Sequence, residues 1–192
     1  MAFEAYFDLR LRQDPDIPEW DRLGRLWHLV HSASYYTKVP FAVAFPGWMQ
    51  AGFGFGGTLR VFALDRTQAD ALYDALEKMP QAADLAEGSR VRVAPASLRR
   101  EAYLMHRIPS APCKERKTVP LERAQALRQE SLRRRIAQQQ SLPFVKMRSS
   151  SGNSFRLVVE RIDATGSPSG TPNSYGLSRS TQIVALPLIT AP

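Results

Sequence analysis

Cysteine is almost absent: Cys113 is the only one among 192 residues. No internal disulfide can form and no cysteine cluster can hold a metal, so this residue reads as a free thiol in a reducing, cytoplasmic compartment. Histidine is nearly as scarce, with His28, His31 and His106 the complete set. His28 and His31, three apart, have the spacing of a metal-binding pair, but no third ligand lies near them in sequence, so neither a metal nor a cofactor is expected. No stretch of 18 apolar residues occurs, which excludes a membrane-spanning helix. The segment from Met1 to Arg12 carries Glu4, Asp8, Arg10 and Arg12 where a signal peptide needs an apolar run. Also missing are a Gly-x-Ser-x-Gly elbow, a phosphate-binding P-loop and a Rossmann fingerprint. The carboxylates do not cluster as a two-metal nuclease requires. The glycines at 52, 54, 56 and 57 lack a lysine partner and read as a flexible turn.

What is present in excess is positive charge, and it is concentrated. Residues 97–148 hold 13 Lys and Arg against 4 Asp and Glu, whereas residues 1–96 hold 10 against 12 and residues 149–192 hold 3 against 2. The whole-chain net charge of +8 thus arises from one block, which is the footprint of a surface for a polyanion, and nucleic acid is the leading candidate. A charge serving solubility alone would be spread along the chain. The basic block lacks the Trp- and Phe-rich face of an interfacial helix, so no membrane partner is expected.

With 44% hydrophobic residues the chain can bury a real core, in one larger domain or two small ones. Tyr6, Phe7, Leu9 and Leu11 predict a strand over Ala5 to Arg12, closed by Asp14, Pro15, Asp16 and Pro18. Leu23, Leu26, Trp27 and Val30 recur at helical spacing, predicting a helix from Pro18 to Ser34. Strands are expected over Val39 to Phe45 and Leu59 to Leu64. Asp65 with Gln68 forms an N-terminal capping signal for a helix striped by Leu72, Leu76 and Met79. Gly88 interrupts the chain before a strand over Arg90 to Ala94. The order strand, helix, strand, strand, helix, strand predicts an α+β protein whose residues 1–96 form a ferredoxin-like (βαββαβ) domain. That plan also serves RNA-recognition modules, although it hosts many other functions. Residues 97–192 read as a divergent C-terminal domain. Leu98 to Ile108 suits a strand or a short helix. Pro120 to Gln140 suits a helix in which Leu121, Ala124, Leu127, Leu132 and Ile136 alternate with arginines. Leu142 to Arg148 and Phe155 to Arg161 suit strands joined by a Ser/Gly turn. A mobile loop is expected over Asp163 to Asn173, and β character over Ser174 to Ile189.

Three features could carry chemistry. The arginine-rich helix has the size to enter a stem's major groove or to track its phosphates; a solvated surface face is the alternative for Arg133, Arg134 and Arg135. Histidine is the side chain suited to proton transfer near neutrality, which RNA cleavage without a metal needs. Taken singly, each histidine is more often structural than catalytic. Ser149 to Ser154 offers hydroxyls and backbone N–H groups to ribose or phosphate, or is a plain β-turn.

Specific segments carry a resemblance. Tyr6-Phe7-Asp8-Leu9-Arg10-Leu11-Arg12 with Asp14-Pro15, then His31 near the end of the first helix, resembles the start of the small CRISPR repeat-RNA endoribonucleases of the Csy (type I-F) systems. Leu142-Pro143-Phe144-Val145, Arg148-Ser149, Phe155-Arg156-Leu157 and Tyr175-Gly176-Leu177-Ser178 resemble their end. The resemblance implies a metal-independent enzyme that binds the CRISPR repeat stem-loop. It would cut at the 3′ base of the stem through 2′-hydroxyl attack and retain the product as a subunit of a guide-RNA surveillance complex with other proteins. A subunit that holds the stem-loop without cutting it is the alternative. By the same resemblance His31 falls on the catalytic histidine, Ser149 on the serine that holds the ribose, and Tyr175 on the tyrosine that orients the imidazole. Phe155 matches an aromatic stacking at the foot of the stem, and Arg107 matches an arginine that reads a guanine. Pro109 stands where a glutamine is expected, which removes one side-chain donor. The resemblance places the groove-entering cations among Arg116, Lys117, Arg123, Arg128 and Arg133 to Arg135 without fixing which of them enter, and Ser150 or Ser151 partners Ser149.

Overall fold

A computed structural model describes residues 2–49, 54–95, 99–106, 141–148, 154–166 and 170–189, together with positions 122, 123, 125–127, 129, 130, 133 and 137. Nine strands and three helices are named along these residues: β1 (Ala5–Leu11), α1 (Glu19–Thr37), β2 (Ala42–Ala44), β3 (Thr58–Ala63), α2 (Arg66–Glu77), α3 (Pro80–Leu85), β4 (Ala86–Gly88), β5 (Arg92–Val93), β6 (Arg100–His106), β7 (Phe144–Arg148), β8 (Ser154–Asp163) and β9 (Leu186–Pro187). The chain is α+β, with two antiparallel sheets.

The first sheet runs β2-β3-β1-β4, with β5 paired to the start of β1. Successive strand residues point to opposite faces. Phe7 therefore meets Tyr73 of α2, ring centroids 5.2 Å apart, while Tyr6 and Asp8 turn to the other side. There Asp8 lies opposite Arg60 in the strand register. The Arg60 guanidinium, 2% exposed, grips the Asp8 carboxylate at 2.7 and 2.9 Å and donates to the Ile189 carbonyl at 2.5 Å. A buried cation is tolerated because a carboxylate and a carbonyl satisfy its donors.

The second sheet runs β7-β8-β6-β9. Phe45 and Trp48, just beyond β2, pack on Tyr103 of β6 with ring centroids 5.0 and 5.5 Å away. The Tyr103 hydroxyl donates to the buried Glu101 carboxylate at 2.8 Å. One continuous apolar cluster takes Phe7, Leu26, Trp27 and Phe62 from the first half and Tyr103, Val145, Met147 and Leu157 from the second.

The expected elements are present with shifted ends. Asp65 accepts from the Gln68 backbone N–H at 2.8 Å and from its side chain at 3.2 Å, so the capping signal starts α2 as read. The strand expected over Arg90 to Ala94 shrinks to β5, and the longer edge partner of β1 is β4, which ends on Gly88. Pro80, set at the start of a helix, launches the additional α3 in between. Within Leu98 to Ile108, which suited strand or helix, Arg100–His106 form a strand because they lie between β8 and β9 and pair with both. Described positions of the arginine-rich segment, from Glu122 to Ala137, are helical and exposed. The span from Ser174 to Ile189 is mainly turns and isolated bridges, with only β9 in ladder form. Asn173, expected to close a mobile loop, is instead buried and bonded.

Candidate active site

One stripe of α1 faces the second half of the chain. Trp20, Gly24, Trp27 and His31 recur at steps of three and four residues and therefore share a helix face. Gly24 sits against β7 so closely that a Cβ there would overlap the carbonyl oxygen of Lys146. Trp27 is fully buried, and its indole N–H donates to the Tyr175 carbonyl at 2.8 Å. His31, one turn further, is half-buried near the C-terminal end of the helix, with its Nδ1 2.5 Å from the carbonyl oxygen of Ser174.

The turn that meets this stripe is tied from within. The Asn173 side-chain oxygen accepts the backbone N–H of Tyr175 at 2.8 Å and of Leu177 at 3.1 Å. Gly176 adopts φ +77°, and a Cβ there would press on Phe41 and Ala42, so the position needs glycine on both counts. The turn is also stitched to both sheets. Val43 of β2 donates to the Gly176 carbonyl at 3.0 Å, and Ser178 donates to the Tyr103 carbonyl of β6 at 2.8 Å. Tyr175 is thereby placed with its ring stacked on His31, centroids 5.1 Å apart and planes 28° from parallel. Phe155 of β8 meets the Tyr175 ring edge-on at 6.0 Å.

This geometry sets the tautomer of His31. A carbonyl oxygen only accepts, so Nδ1 carries the proton in the neutral ring and Nε2 keeps its lone pair. The group can take a proton at Nε2 and return it from the imidazolium form. Stacking with Tyr175 fixes the plane in which Nε2 points.

Of the residues singled out by sequence, His31, Tyr175 and Phe155 come together. Arg123 and Arg133 lie on exposed helical positions. Ser149, Ser150, Ser151, Arg107, Arg116, Lys117, Arg128, Arg134 and Arg135 fall outside the described residues. His28 is exposed, its ring centroid 6.3 Å from that of His31. His106 Nε2 pairs with Glu160 at 2.7 Å. Among the described residues no group of three or more His, Cys, Asp or Glu is arranged to hold a metal ion. No helix there is long and apolar enough to cross a membrane.

Two residues of the site escaped the sequence reading. Helical spacing marks Trp27 only as an apolar position, although a buried indole needs an acceptor for its N–H. Composition places Asn173 in a loop, although Asn three residues before Gly176 is a signal for a side-chain-capped turn.

Together these elements define an α+β protein that presents an imidazole stacked on one aromatic ring, with a second ring edge-on behind it. A family model described as CRISPR-associated protein (Cas_Csy4) matches residues 6–188, and the chain belongs to that family. The family is generally one of RNA endonucleases, and membership implies RNA binding. No curated protein matches the chain.

Proposed function

We propose that this protein is a metal-independent endoribonuclease that binds the stem-loop of a CRISPR repeat RNA and cuts at its 3′ base. One observation carries the reading: His31 is held by the Ser174 carbonyl and the Tyr175 ring so that Nε2 is left with a free lone pair. Nε2 takes the proton of the 2′-hydroxyl at the cut site. The 2′-oxygen bonds to the adjacent phosphorus, the bond to the 5′-oxygen breaks, and a proton returned from the imidazolium or from water completes the 5′-hydroxyl. The products are a 2′,3′-cyclic phosphate and a free 5′ end, with no net consumption of protons or electrons. Ser149 and its partner Ser150 or Ser151 hold the ribose. Phe155 stacks beneath the closing base pair, a use of aromatic faces common in RNA recognition.

In this reading residues 1–96 are a ferredoxin-like scaffold for His31. The order β2-β3-β1-β4 supports it, since α1 connects β1 to β2 with β3 lying between them. Residues 97–192 bind the stem. Arg123 and Arg133 meet its phosphates or groove, with Arg107, Arg116, Lys117, Arg128, Arg134 and Arg135 adding charge. The enzyme keeps the cut stem-loop and remains as a type I-F guide-complex subunit.

The test is a single-turnover assay with repeat RNA in EDTA. The expected result is one cut at the 3′ base of the stem, lost in His31→Ala while stem-loop affinity persists. Normal cutting by His31→Ala would refute the site. Binding without cutting by the wild-type chain would mark a subunit that only holds the stem-loop.

A further inference from the structure

Beside Phe155, on the outward side of the β7–β8 hairpin, lies a second feature that cutting does not use. A cleft of about 330 Å³ is lined by Trp20, Phe144, Lys146, Ser154, Phe155 and Arg156. Its size falls at the small end of the range typical of small-ligand sites, about 300–1,000 Å³.

Its composition is unusual for a protein surface. Trp20, 38% exposed at the start of α1, tilts 35° against Phe144 with centroids 6.3 Å apart. The Arg156 guanidinium lies 4.6 Å over the Phe144 ring. Lys146 and Arg156 are direct partners in the strand register, and both are exposed. Like charges placed opposite each other destabilise a sheet. Neither has a carboxylate within ion-pair distance among the described residues. Two unneutralised cations beside a pair of accessible aromatic rings match what one nucleotide presents: a π-face for the rings and a phosphate for the cations.

The position fits a ligand that continues from the cut site. Trp20 and His31 lie on the same stripe of α1, eleven residues apart, a rise of about 16 Å at 1.5 Å per residue. Phe155 belongs both to the cleft and to the ring cluster around Tyr175. A strand leaving the foot of the stem at Phe155 reaches the cleft within a few nucleotides.

We propose that this cleft binds an unpaired nucleotide of the single-stranded RNA flanking the stem-loop, its base against Trp20 and Phe144 and its phosphate against Lys146 and Arg156. The proposal rests on the stem-loop reading above. It makes single-stranded flanks, and not only the paired stem, part of what the protein recognises.

The test compares three RNAs, each with a 2′-deoxy sugar at the cut site: the bare stem-loop, the stem-loop with an unpaired 5′ extension, and the stem-loop with an unpaired 3′ extension. Dissociation constants are measured for each. One extension is expected to tighten binding about tenfold, as stacking one base does. In Trp20→Ala and in Arg156→Gln that gain should fall to less than about twofold, with each variant's bare stem-loop as its own baseline. Trp20→Phe should keep most of it. The extension that gives the gain identifies the flank. If the bare stem-loop binds and neither extension tightens binding, the cleft is not a nucleotide site. A gain that survives Trp20→Ala combined with Arg156→Gln overturns the proposal equally. A bare stem-loop that does not bind removes the stem-loop reading itself, and this proposal with it.

Discussion

Asn173 hydrogen-bonds within its own turn and to the Met105 sulfur rather than to His31, yet the geometry of the candidate site should depend on it. Asn173→Ala removes the oxygen that accepts the N–H groups of Tyr175 and Leu177. Leu177 is fully buried, so its N–H is left without water, at about 1–3 kcal/mol. Tyr175 is half-buried, and its lost bond costs about 1 kcal/mol. The total, about 2–4 kcal/mol, should lower the melting temperature by roughly 5–15 °C for a chain of this size. The turn also supplies the Ser174 carbonyl and the Tyr175 ring that hold His31. Loosening it should therefore slow cutting about tenfold or more at saturating RNA, with a smaller change in stem-loop affinity. Asn173→Asp is the control. It keeps the accepting oxygens and loses only the side-chain N–H contact to the Met105 sulfur at 3.6 Å, so it should recover most of both stability and rate. Calorimetry and single-turnover cleavage measure the two effects. An alanine variant that melts and cuts like the wild type, or an aspartate variant as impaired as the alanine, would refute the clamp.

Two further expectations concern the scaffold. Gly24→Ala should destabilise the protein by about 1–3 kcal/mol through the clash with Lys146, against a gain in helix propensity of about 1 kcal/mol; a variant that melts at or above the wild-type temperature would show that α1 does not rest on β7. Glu101 titrates above the usual carboxylate value because burial disfavours its charge, with the Tyr103 hydroxyl, Arg161 and Arg60 opposing that shift. The folded chain thus holds this proton more tightly than the unfolded chain. Its contribution to stability is complete below the usual value of 4.5 and is lost as pH rises through the folded-state value. Glu101→Gln, neutral throughout, should melt close to the wild type in acid and gain on it as pH rises; a difference that stays constant with pH would show that Glu101 is not the group responsible.

The regular parts of this fold were legible because period and punctuation agree. Alternation in Tyr6 to Leu11, the three-and-four spacing of Leu23 to Val30, and the Asp65–Gln68 cap each specify one local structure. Where local rules were neutral, pairing decided. Nothing within residues 99–106 separates strand from helix, but β8 and β9 offer their edges to it. The turn at the candidate site was least legible for a similar reason. Asn173, Ser174 and Gly176 look like ordinary loop residues. The turn they build is placed by contacts of Ser174 with His31, of Tyr175 with Trp27 and of Gly176 with Phe41 and Val43, all more than 120 positions earlier in the chain. His31 could be proposed from the resemblance, but the partner of its Nδ1 is a backbone carbonyl, which carries no residue-type signal at all.

That partnership also bears on whether the two halves of the chain can work separately. His31 belongs to α1 of the first half, while the carbonyl that fixes its tautomer and the ring that stacks on it belong to a turn of the second half. The turn is held by hydrogen bonds to β2 and β6, one from each sheet, and the apolar cluster beneath it is continuous across both. A first half on its own would keep the histidine yet lose what directs its lone pair, and would expose the apolar faces of Trp27 and Phe45. In the proposed mechanism, proton transfer at His31 is therefore coupled to docking of the two sheets, so perturbations that loosen their contact should reduce cutting without touching any residue that meets the RNA.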